Sequence, residues 1–300
     1  MTTSSKKELR IASWNVEGLQ NYLGTEPRRV SLGEVVRALQ MPDILCLQEL
    51  RLRPQDSNLV SLAQSALVGY ELTLTLASDP MNARFRGGRT YGVGTFVRKR
   101  LGATLLPSLA WDREGRIATV MLERERIAIV NVYAVNGTSK PHWDHELARH
   151  EGDRHGWKRR FHGHVAELVR ALRQERFEVV AIGDWNVSQT RIDITPRLRT
   201  EEPHAGSRAD FARTMIDDLG LVDVFRARNP TARAYTWFSP FSRPGKLDAA
   251  RVDFALVSPG LVPRVVQASV DESVEHRFGS DHAPLSLSVS RSRLQAGHLS

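Results

Sequence analysis

Short apolar runs alternate with amphipathic segments along the chain, and this pattern predicts strands interspersed with helices. The runs that predict strands cover residues 10–13, 44–47, 93–97, 117–122, 127–132, 179–182, 252–257 and 285–289. In the last run Leu and Val alternate with Ser, which predicts a strand with one face open to solvent. Two clusters of strands among helices favour two sheets packed together.

Three segments carry apolar residues at helical spacing. The first begins at a capping box of Ser31 and Glu34 and stops before Pro42. The apolar stripe of the second is Phe161, Val165, Leu168, Val169 and Leu172, and that of the third is Phe211, Met215 and Leu219. We therefore predict an α/β fold, a four-layered α/β sandwich in which two packed mixed β-sheets are flanked by helices.

The chain has no Pro-rich or Gly/Ser-rich linker, so we predict one domain over residues 9–290 with flexible termini at 1–8 and 291–300. Residues 137–160 are polar and rich in His and Arg, which predicts an extended surface loop. The histidines of this loop are irregularly spaced and have no accompanying Cys, so we predict that they are solvated and bind no metal. They are His142, His145, His150 and His155.

The composition is that of a soluble globular protein, with 41% hydrophobic and 25% charged residues. No apolar stretch approaches the roughly 18 residues of a membrane span, and the N-terminal ten residues lack the apolar core of a signal peptide. We expect a cytoplasmic protein without a membrane partner. Cys46 is the single cysteine and lies within an apolar run, so we expect an inert core residue.

The net charge is +8 and the isoelectric point is near 10.0, a balance expected to attract polyanions. Most of the 42 basic residues are Arg, whose paired donors grip phosphate. A base-composition bias in the genome is an alternative source of the Arg excess, but the charge acts in the same way whatever its origin.

Acids, amides and an imidazole flank several of the predicted strands. Asp184 and Asn186 follow the run 179–182. Similar positions are held by Asn15, Glu17, Glu49, Tyr133, Asn136, Asp253, Asp281 and His282. Loops beyond strand ends are where α/β proteins place their catalytic groups. Oxygen ligands without a Cys/His cluster select a hard cation, so Glu49 and Asp281 with the nearby amides predict a Mg²⁺ or Mn²⁺ site.

Such a cation on a phosphate would assist hydrolysis by water. Asp184 is then a candidate to orient or deprotonate that water, held by Asn186. His282 would donate to a phosphate oxygen while Asp253 fixes its tautomer. Each feature alone has a structural alternative: Gly-Asp-x-Asn is a common turn, and Tyr133 is a typical strand aromatic.

Six short motifs stand in order along the chain. They are Ser13-Trp14-Asn15-Val16-Glu17-Gly18, Gln48-Glu49, Asn131-Val132-Tyr133 with Asn136-Gly137, Gly183-Asp184-Trp185-Asn186, Arg251-Val252-Asp253-Phe254, and Ser280-Asp281-His282-Ala283-Pro284. This set resembles that of the exonuclease/endonuclease/phosphatase superfamily. Within it the chain most resembles exodeoxyribonuclease III and related apurinic/apyrimidinic endonucleases, over residues 10–289.

The resemblance implies that the cation is bound by Asn15, Glu17, Glu49 and Asp281. It implies that Asp184 and Asn186 position the nucleophilic water, as base or as acid for the leaving oxygen. By the same resemblance Tyr133 contacts the scissile phosphate, and Asp253 and His282 act together on it.

The resemblance also implies where DNA binds. Trp237, Phe238 and Val252 match side chains that wall a pocket for a sugar lacking its base, and a flipped abasic residue suits such a slot. Ala250 stands where relatives carry a larger side chain, so we expect a wider pocket. Further DNA contacts are expected from Asn136, Tyr91, Lys158, Arg159, Arg160, Arg84, Arg86 and Arg89. The alternatives are that Trp237 and Phe238 belong to the core and that the basic clusters are solvated faces.

The sequence thus predicts a monomeric, Mg²⁺-dependent phosphodiesterase acting on double-stranded DNA, with Mn²⁺ as a substitute. It would cut 5′ to abasic sites and remove nucleotides or blocking groups from 3′ ends. The alternatives are a phosphatase or phosphodiesterase of the same superfamily for small or lipid phosphates, and a non-catalytic DNA-binding module. The sequence leaves open the ranking of the nuclease activities and the number of metal ions.

Overall fold

The computed structural model describes residues 7–24, 30–53, 55, 57–82, 89–198, 204–241, 247–273 and 278–291. In chain order the strands are β1 (Glu8–Asn15), β2 (Ile44–Gln48), β3 (Tyr70–Leu76), β4 (Gly92–Arg98), β5 (Thr104–Leu105), β6 (Ile117–Leu122), β7 (Ile127–Tyr133), β8 (Pro141–Asp144), β9 (Arg149–Asp153), β10 (Glu178–Asp184), β11 (Val222–Asp223), β12 (Trp237–Phe238), β13 (Ala249–Ala250), β14 (Asp253–Val257), β15 (Val265–Val270) and β16 (Leu285–Ser290). The helices are α1 (Leu32–Ala38), α2 (Ser57–Ser65), α3 (Arg154–Gln174), α4 (His204–Phe211) and α5 (Val224–Arg228). A π-helical segment, Ala212–Asp217, continues α4.

Two six-stranded sheets form the centre of the molecule. One has the order β15-β16-β1-β2-β4-β3 and the other the order β11-β14-β10-β7-β6-β5. Within them β1 runs parallel to β2 and β10 runs parallel to β7, while the remaining neighbours are antiparallel. Both sheets are therefore mixed, as the sequence predicts.

Successive side chains of a strand point to opposite faces of its sheet. The buried apolar side chains therefore form three main layers, one between the sheets and one on the outer face of each sheet. Ile11 of β1 and Ile182 of β10 belong to the apolar layer between the two sheets. Trp14, on the other face of β1, packs with Val35 of α1, whereas Ala181 packs with α3 and α4. Helix, sheet, sheet and helix thus form the predicted four-layered α/β sandwich.

A buried polar link joins the sheets inside this apolar core. The amide of Gln48 donates to Ser13 Oγ at 2.9 Å and to Asn131 Oδ1 at 2.7 Å. Asn131 in turn donates to the carbonyl oxygens of Leu47 and Gly94 at 3.2 and 3.0 Å. Because buried amides need these partners, the link fixes how the two sheets face one another.

Every predicted strand is present, with its ends within two residues of the predicted bounds. The capping box at α1 is confirmed, since Ser31 Oγ accepts from the Glu34 amide and Glu34 Oε2 accepts from the Ser31 amide. The third predicted helix is also present, although it is α-helical and then π-helical. The alternation in β16 is confirmed, because every second residue is buried.

The prediction of an extended loop over 137–160 was wrong. This segment forms the hairpin β8–β9 and the first two turns of α3, which Asp153 caps by accepting from the Gly156 amide at 2.8 Å. The turns carry charged side chains that are buried with partners, so they show no apolar stripe. Its histidines have separate neighbours: His142 stacks on Trp157 and His145 lies 2.9 Å from Asp79.

Ordered structure extends beyond both predicted domain boundaries. Glu8 is the first residue of β1, and the side chain of Arg291 donates to Glu125 Oε1. Cys46 is buried, and burial raises the pKa of its thiol to about 12, which confirms an inert core cysteine. Among the residues that the structure describes, no helix is long and apolar enough to cross a membrane.

Candidate active site

Strands from both sheets end at one edge of the sandwich, and the polar motif residues follow these ends. Asn15 ends β1 beside Gln48, the last residue of the parallel strand β2. In the other sheet Asp184 ends β10 between Tyr133 of β7 and Asp253 of β14. The topology therefore gathers residues that are up to 267 positions apart in sequence, such as Asn15 and His282.

A cavity of about 600 Å³ opens at this edge. The predicted site residues that line it are Glu17, Glu49, Tyr91, Tyr133, Asn136, Lys158, Asp184, Asn186, Trp237, Val252, Asp281 and His282. Asn15 and Asp253 are buried and do not line the cavity, and neither do Arg89 and Phe238. Arg84 and Arg86 lie outside the described residues.

Asn15 is buried next to the cavity and forms hydrogen bonds to carboxylates that follow strands of both sheets. Its Nδ2 donates to Glu49 Oε2 at 3.1 Å and to Asp184 Oδ2 at 3.0 Å, and its Oδ1 accepts from the Glu17 amide at 3.1 Å. One buried amide thus orients carboxylates of both sheets.

Three carboxylates, those of Glu17, Glu49 and Asp281, lie at one end of the cavity, and we call them the acidic cluster. Burial and the charge of Asp281 raise the pKa of Glu17, with Arg51 opposing them. The backbones of Glu17 and Glu49 have left-handed φ values of 49° and 56°, a strained conformation that is common at functional sites. Crowded oxygen donors of this kind fit a hard divalent cation.

Arg51, which the sequence analysis missed, lies among the same carboxylates. Its Nε donates to Glu49 Oε1 at 2.8 Å, its Nη2 also contacts that oxygen, and its Nη1 donates to Glu17 Oε1 at 3.3 Å. The guanidinium therefore offsets part of the negative charge of the acidic cluster. No sequence motif marks this residue, because its role depends on the chain turning after Glu49.

Asp184, Asp253 and His282 form a second buried group, close enough together to hold a metal ion. His282 Nδ1 lies 2.9 Å from Asp253 Oδ2, and His282 Nε2 lies 4.0 Å from Asp184 Oδ2. Burial lowers the pKa of His282, but the charges of Asp253, Asp184 and Asp281 outweigh it and raise the pKa to about 10. A protonated imidazole between two carboxylates balances part of their negative charge.

Asp184 itself is buried, and burial together with the charge of Asp253 raises the pKa of its carboxyl to about 7. Its Oδ1 accepts from the Asn186 amide at 2.8 Å. Asn186 has a left-handed φ of 51°, and its Nδ2 donates to Ala134 O at 2.9 Å and to Asp184 Oδ2 at 3.3 Å. An acid with a pKa near neutrality, held by two donors, is suited to exchange a proton with a bound water.

Lys158 does not belong to a solvated basic face, the alternative that the sequence analysis left open for it. It lies on α3, is buried, and donates through Nζ to Asn186 O at 2.7 Å. Burial lowers the pKa of its ammonium group to about 8, with the charge of Asp184 opposing the shift. The residue therefore places a positive charge at the wall of the cavity.

Tyr133 and Tyr91 pack edge to face, with ring centroids 5.6 Å apart. The buried guanidinium of Arg116 lies 4.5 Å from the Tyr91 ring and 4.8 Å from the Tyr133 ring, and it donates to Tyr133 O at 3.1 Å. Glu114 pairs with both Arg116 and Arg154 of α3. Sequence reasoning missed this cation–π arrangement, because nothing in the local pattern distinguishes Arg116 from a surface arginine.

The hairpin β12–β13 forms one wall of the cavity. Trp237 and Val252 line it as predicted, and Trp237 Nε1 donates to Asp281 Oδ2 at 3.0 Å. Phe238 is half-buried beside this wall. The cavity is also lined by residues that the sequence analysis did not select as site residues, namely Ile194, Leu198, Ser207 and Arg208.

Gly183 lies within β10, paired with Val132 and Phe254. Its φ of 145° is accessible to glycine, and a Cβ at this position would lie 2.0 Å from Val132 O. Trp185 is fully buried and packs edge to face against Phe211 at 5.4 Å. Gly183 thus allows β10 to lie close to β7, and Trp185 anchors the segment after Asp184 in the core.

Comparison with known proteins agrees with this arrangement. The chain is 25% identical over 295 residues to the exodeoxyribonuclease of Streptococcus pneumoniae, covering 94% of this chain and 99% of that protein. It is 26% identical over 295 residues to the DNA-(apurinic or apyrimidinic site) endonuclease of Dictyostelium discoideum, covering 95% of this chain and 71% of that protein.

Solved structures show the same fold. The 3′-5′ exonuclease NExo from Neisseria meningitidis superimposes with a TM-score of 0.68 at 25% identity, covering 94% of this chain and 99% of that one. The model of the Endonuclease/Exonuclease/phosphatase family matches residues 12–282, which include all six motifs except the last two residues of the sixth. This match covers most of the chain, and the acidic cluster, Asp184 and His282 line one cavity, so the chain belongs to this family of hydrolases.

Proposed function

We propose that the protein is a metal-dependent DNA-repair nuclease that cuts duplex DNA 5′ to abasic sites and removes nucleotides or blocking groups from 3′ ends. The observation that carries this proposal is the position of Asn15, which holds a carboxylate of the acidic cluster and Asp184 on either side of one amide. A cation site and a proton-exchanging acid thereby face the same space, as hydrolysis of a phosphodiester by water requires.

Glu17, Glu49 and Asp281 would hold the cation, Mg²⁺ or Mn²⁺, which withdraws charge from the phosphate. Ionised Asp184 accepts a proton from the attacking water, and Asn186 orients that carboxylate. The imidazolium of His282 donates to a phosphate oxygen and balances the charge that develops there. In this scheme Asn15 fixes the carboxylates of Glu49 and Asp184 relative to each other.

The basic charge of the chain and the names of its relatives support DNA as the substrate. In this proposal the abasic residue occupies the part of the cavity that Trp237 and Val252 line. A nucleotide without its base leaves a duplex at the least cost. We propose that the active form is a monomer.

The test uses end-labelled duplexes that carry an internal tetrahydrofuran abasic residue, a 3′-phosphate or a recessed 3′ end. We expect incision and 3′-end removal with Mg²⁺, and loss of both with EDTA. Replacement of Asp184 by Asn should lower each rate by on the order of 10² to 10⁴. Absence of metal-dependent cleavage of all three duplexes by the folded protein would contradict the proposal.

A further inference from the structure

Thr236 lies between two of the motifs that form the candidate active site. It is the residue before β12, and its side chain is fully buried. Its Oγ1 accepts from the backbone amides of Val252 at 2.9 Å and Asp253 at 3.0 Å. Its carbonyl oxygen accepts from the amide of Ala283 at 2.7 Å. One threonine therefore contacts both the start of β14 and the segment that carries His282.

The contact with the His282 segment continues along β12. Besides its pairing with β13, β12 pairs with this segment through an isolated bridge between Trp237 and His282. The amide of Phe238 also donates to Asp281 O at 2.9 Å. The backbone around His282 is therefore bonded to β12 on either side of the bridge, and its position relative to Thr236 is fixed.

The start of β14 is held from two sides. Thr236 Oγ1 binds its amides, and Val252 O accepts from the amide of Trp185, one residue after Asp184, at 2.8 Å. Buried backbone amides need acceptors, and a hydroxyl oxygen can accept two hydrogen bonds through its two lone pairs. Loss of the Thr236 hydroxyl would leave both amides without this acceptor and loosen the backbone that carries the Asp253 side chain.

We propose that Thr236 is a positioning residue for the hydrolysis, because its hydroxyl fixes the backbone of Asp253 relative to that of His282. Asp253 Oδ2 and His282 Nδ1 are 2.9 Å apart, so a small shift of either backbone would break their hydrogen bond. Thr236 is buried and does not line the cavity, so it acts through these two residues and not on the substrate. The inference rests on the proposed nuclease function, in which Asp253 orients His282.

Two substitutions separate the hydroxyl of Thr236 from its shape. Thr236→Val removes the hydroxyl and keeps the branched side chain, whereas Thr236→Ser keeps the hydroxyl. Thr195→Val is the matched control, because Thr195 is also buried and its Oγ1 accepts from the amide of Ala249 at 3.3 Å in the same hairpin. Denaturant unfolding of all three variants measures how much stability each change removes.

The first measurement uses the full-length protein without DNA. In a ¹⁵N-edited NMR spectrum, the Nδ1 proton of His282 should give a downfield signal that exchanges slowly with water, because it is hydrogen bonded to a buried carboxylate. Loss of the signal in His282→Asn assigns it. In Thr236→Val the signal should move upfield and exchange faster, whereas in Thr236→Ser and Thr195→Val it should keep its wild-type position.

The second measurement is single-turnover cleavage of a duplex with an internal tetrahydrofuran residue at saturating protein. Thr236→Val should lower the rate on the order of tenfold with unchanged affinity for the duplex, since even a small misplacement of a reacting group slows a reaction. Thr236→Ser and Thr195→Val should cut at the wild-type rate.

A wild-type signal and a wild-type rate in Thr236→Val would overturn the inference. So would equal losses in Thr195→Val, because they would show that removal of any buried hydroxyl from this region has the same effect. If the wild-type protein fails to cut the duplex, the proposed function fails instead, and the NMR comparison still decides whether Thr236 holds Asp253 against His282.

Discussion

His282 Nδ1 lies 2.9 Å from Asp253 Oδ2, and both side chains are buried. The contact turns the other ring nitrogen, Nε2, toward Asp184 and the cavity. The backbone of His282 is held as well, because its amide donates to Ser280 Oγ at 3.0 Å and that hydroxyl donates to Asn15 O at 2.7 Å. Asp253 is therefore a positioning residue that acts through His282.

Replacement of Asp253 by Asn should lower the rate of abasic-site incision on the order of 10²-fold, because the ring loses both its orientation and the charge that keeps it protonated. Single-turnover cleavage measures the effect. Asp218→Asn, at an exposed acid, is the matched control and should behave like wild type. A fully active Asp253→Asn enzyme would remove this pair from the mechanism.

The pH dependence follows from two raised pKa values. The carboxyl of Asp184 has a pKa of about 7 and must be ionised, so the rate should rise as the pH passes through that value. His282 has a pKa of about 10 and must be protonated, so the rate should fall again as the pH approaches 10. A profile of kcat/KM at fixed Mg²⁺ checks both limbs.

The same profile for Asp253→Asn should show the upper limb at lower pH. The charge of Asp253 is the largest influence that raises the pKa of His282, and Asn does not supply it. An upper limb that stays in place would assign it to a group other than His282.

Arg51 neutralises the acidic cluster and should compete with the cation for it. Arg51→Met leaves the carboxylates of Glu17 and Glu49 without the guanidinium, so Mn²⁺ affinity without DNA should rise on the order of tenfold. Calorimetric titration measures it, and Arg53→Met, at an exposed arginine two residues on, is the control. Weaker Mn²⁺ binding would mean that Arg51 orients the carboxylates more than it competes.

Gly183 and Gly163 make a matched pair for a stability test. Gly183→Ala should destabilise the fold by on the order of 3 kcal/mol, since a Cβ would meet Val132 O at 2.0 Å and φ is 145°. Gly163 lies within α3 with no neighbouring atom within 4 Å of a Cβ, so Gly163→Ala should stabilise by about 1 kcal/mol. Denaturant unfolding monitored by circular dichroism distinguishes the two. Equal effects of the two changes would contradict the close approach of β10 to β7.

The candidate site was predictable where a residue stands at the end of a strand. Asp184 and Tyr133 follow apolar runs, and parallel neighbours in a sheet end at the same edge, so the pairing of β7 with β10 brings these two residues together. The environment of Lys158 was not predictable, because the first turns of α3 bury charged side chains and show no apolar stripe.

The sequence by itself determined the fold class, the positions of the central strands along the chain and the set of acids, amides and imidazole at their ends. Those features depend on side-chain alternation and on local hydrogen bonds, which neighbouring residues specify. Tertiary structure alone decided that Asn15 bridges Glu49 and Asp184 and that Arg51 enters the acidic cluster. These relations join residues of different sheets and loops, so only the packed fold sets their distances, their burial and their charges.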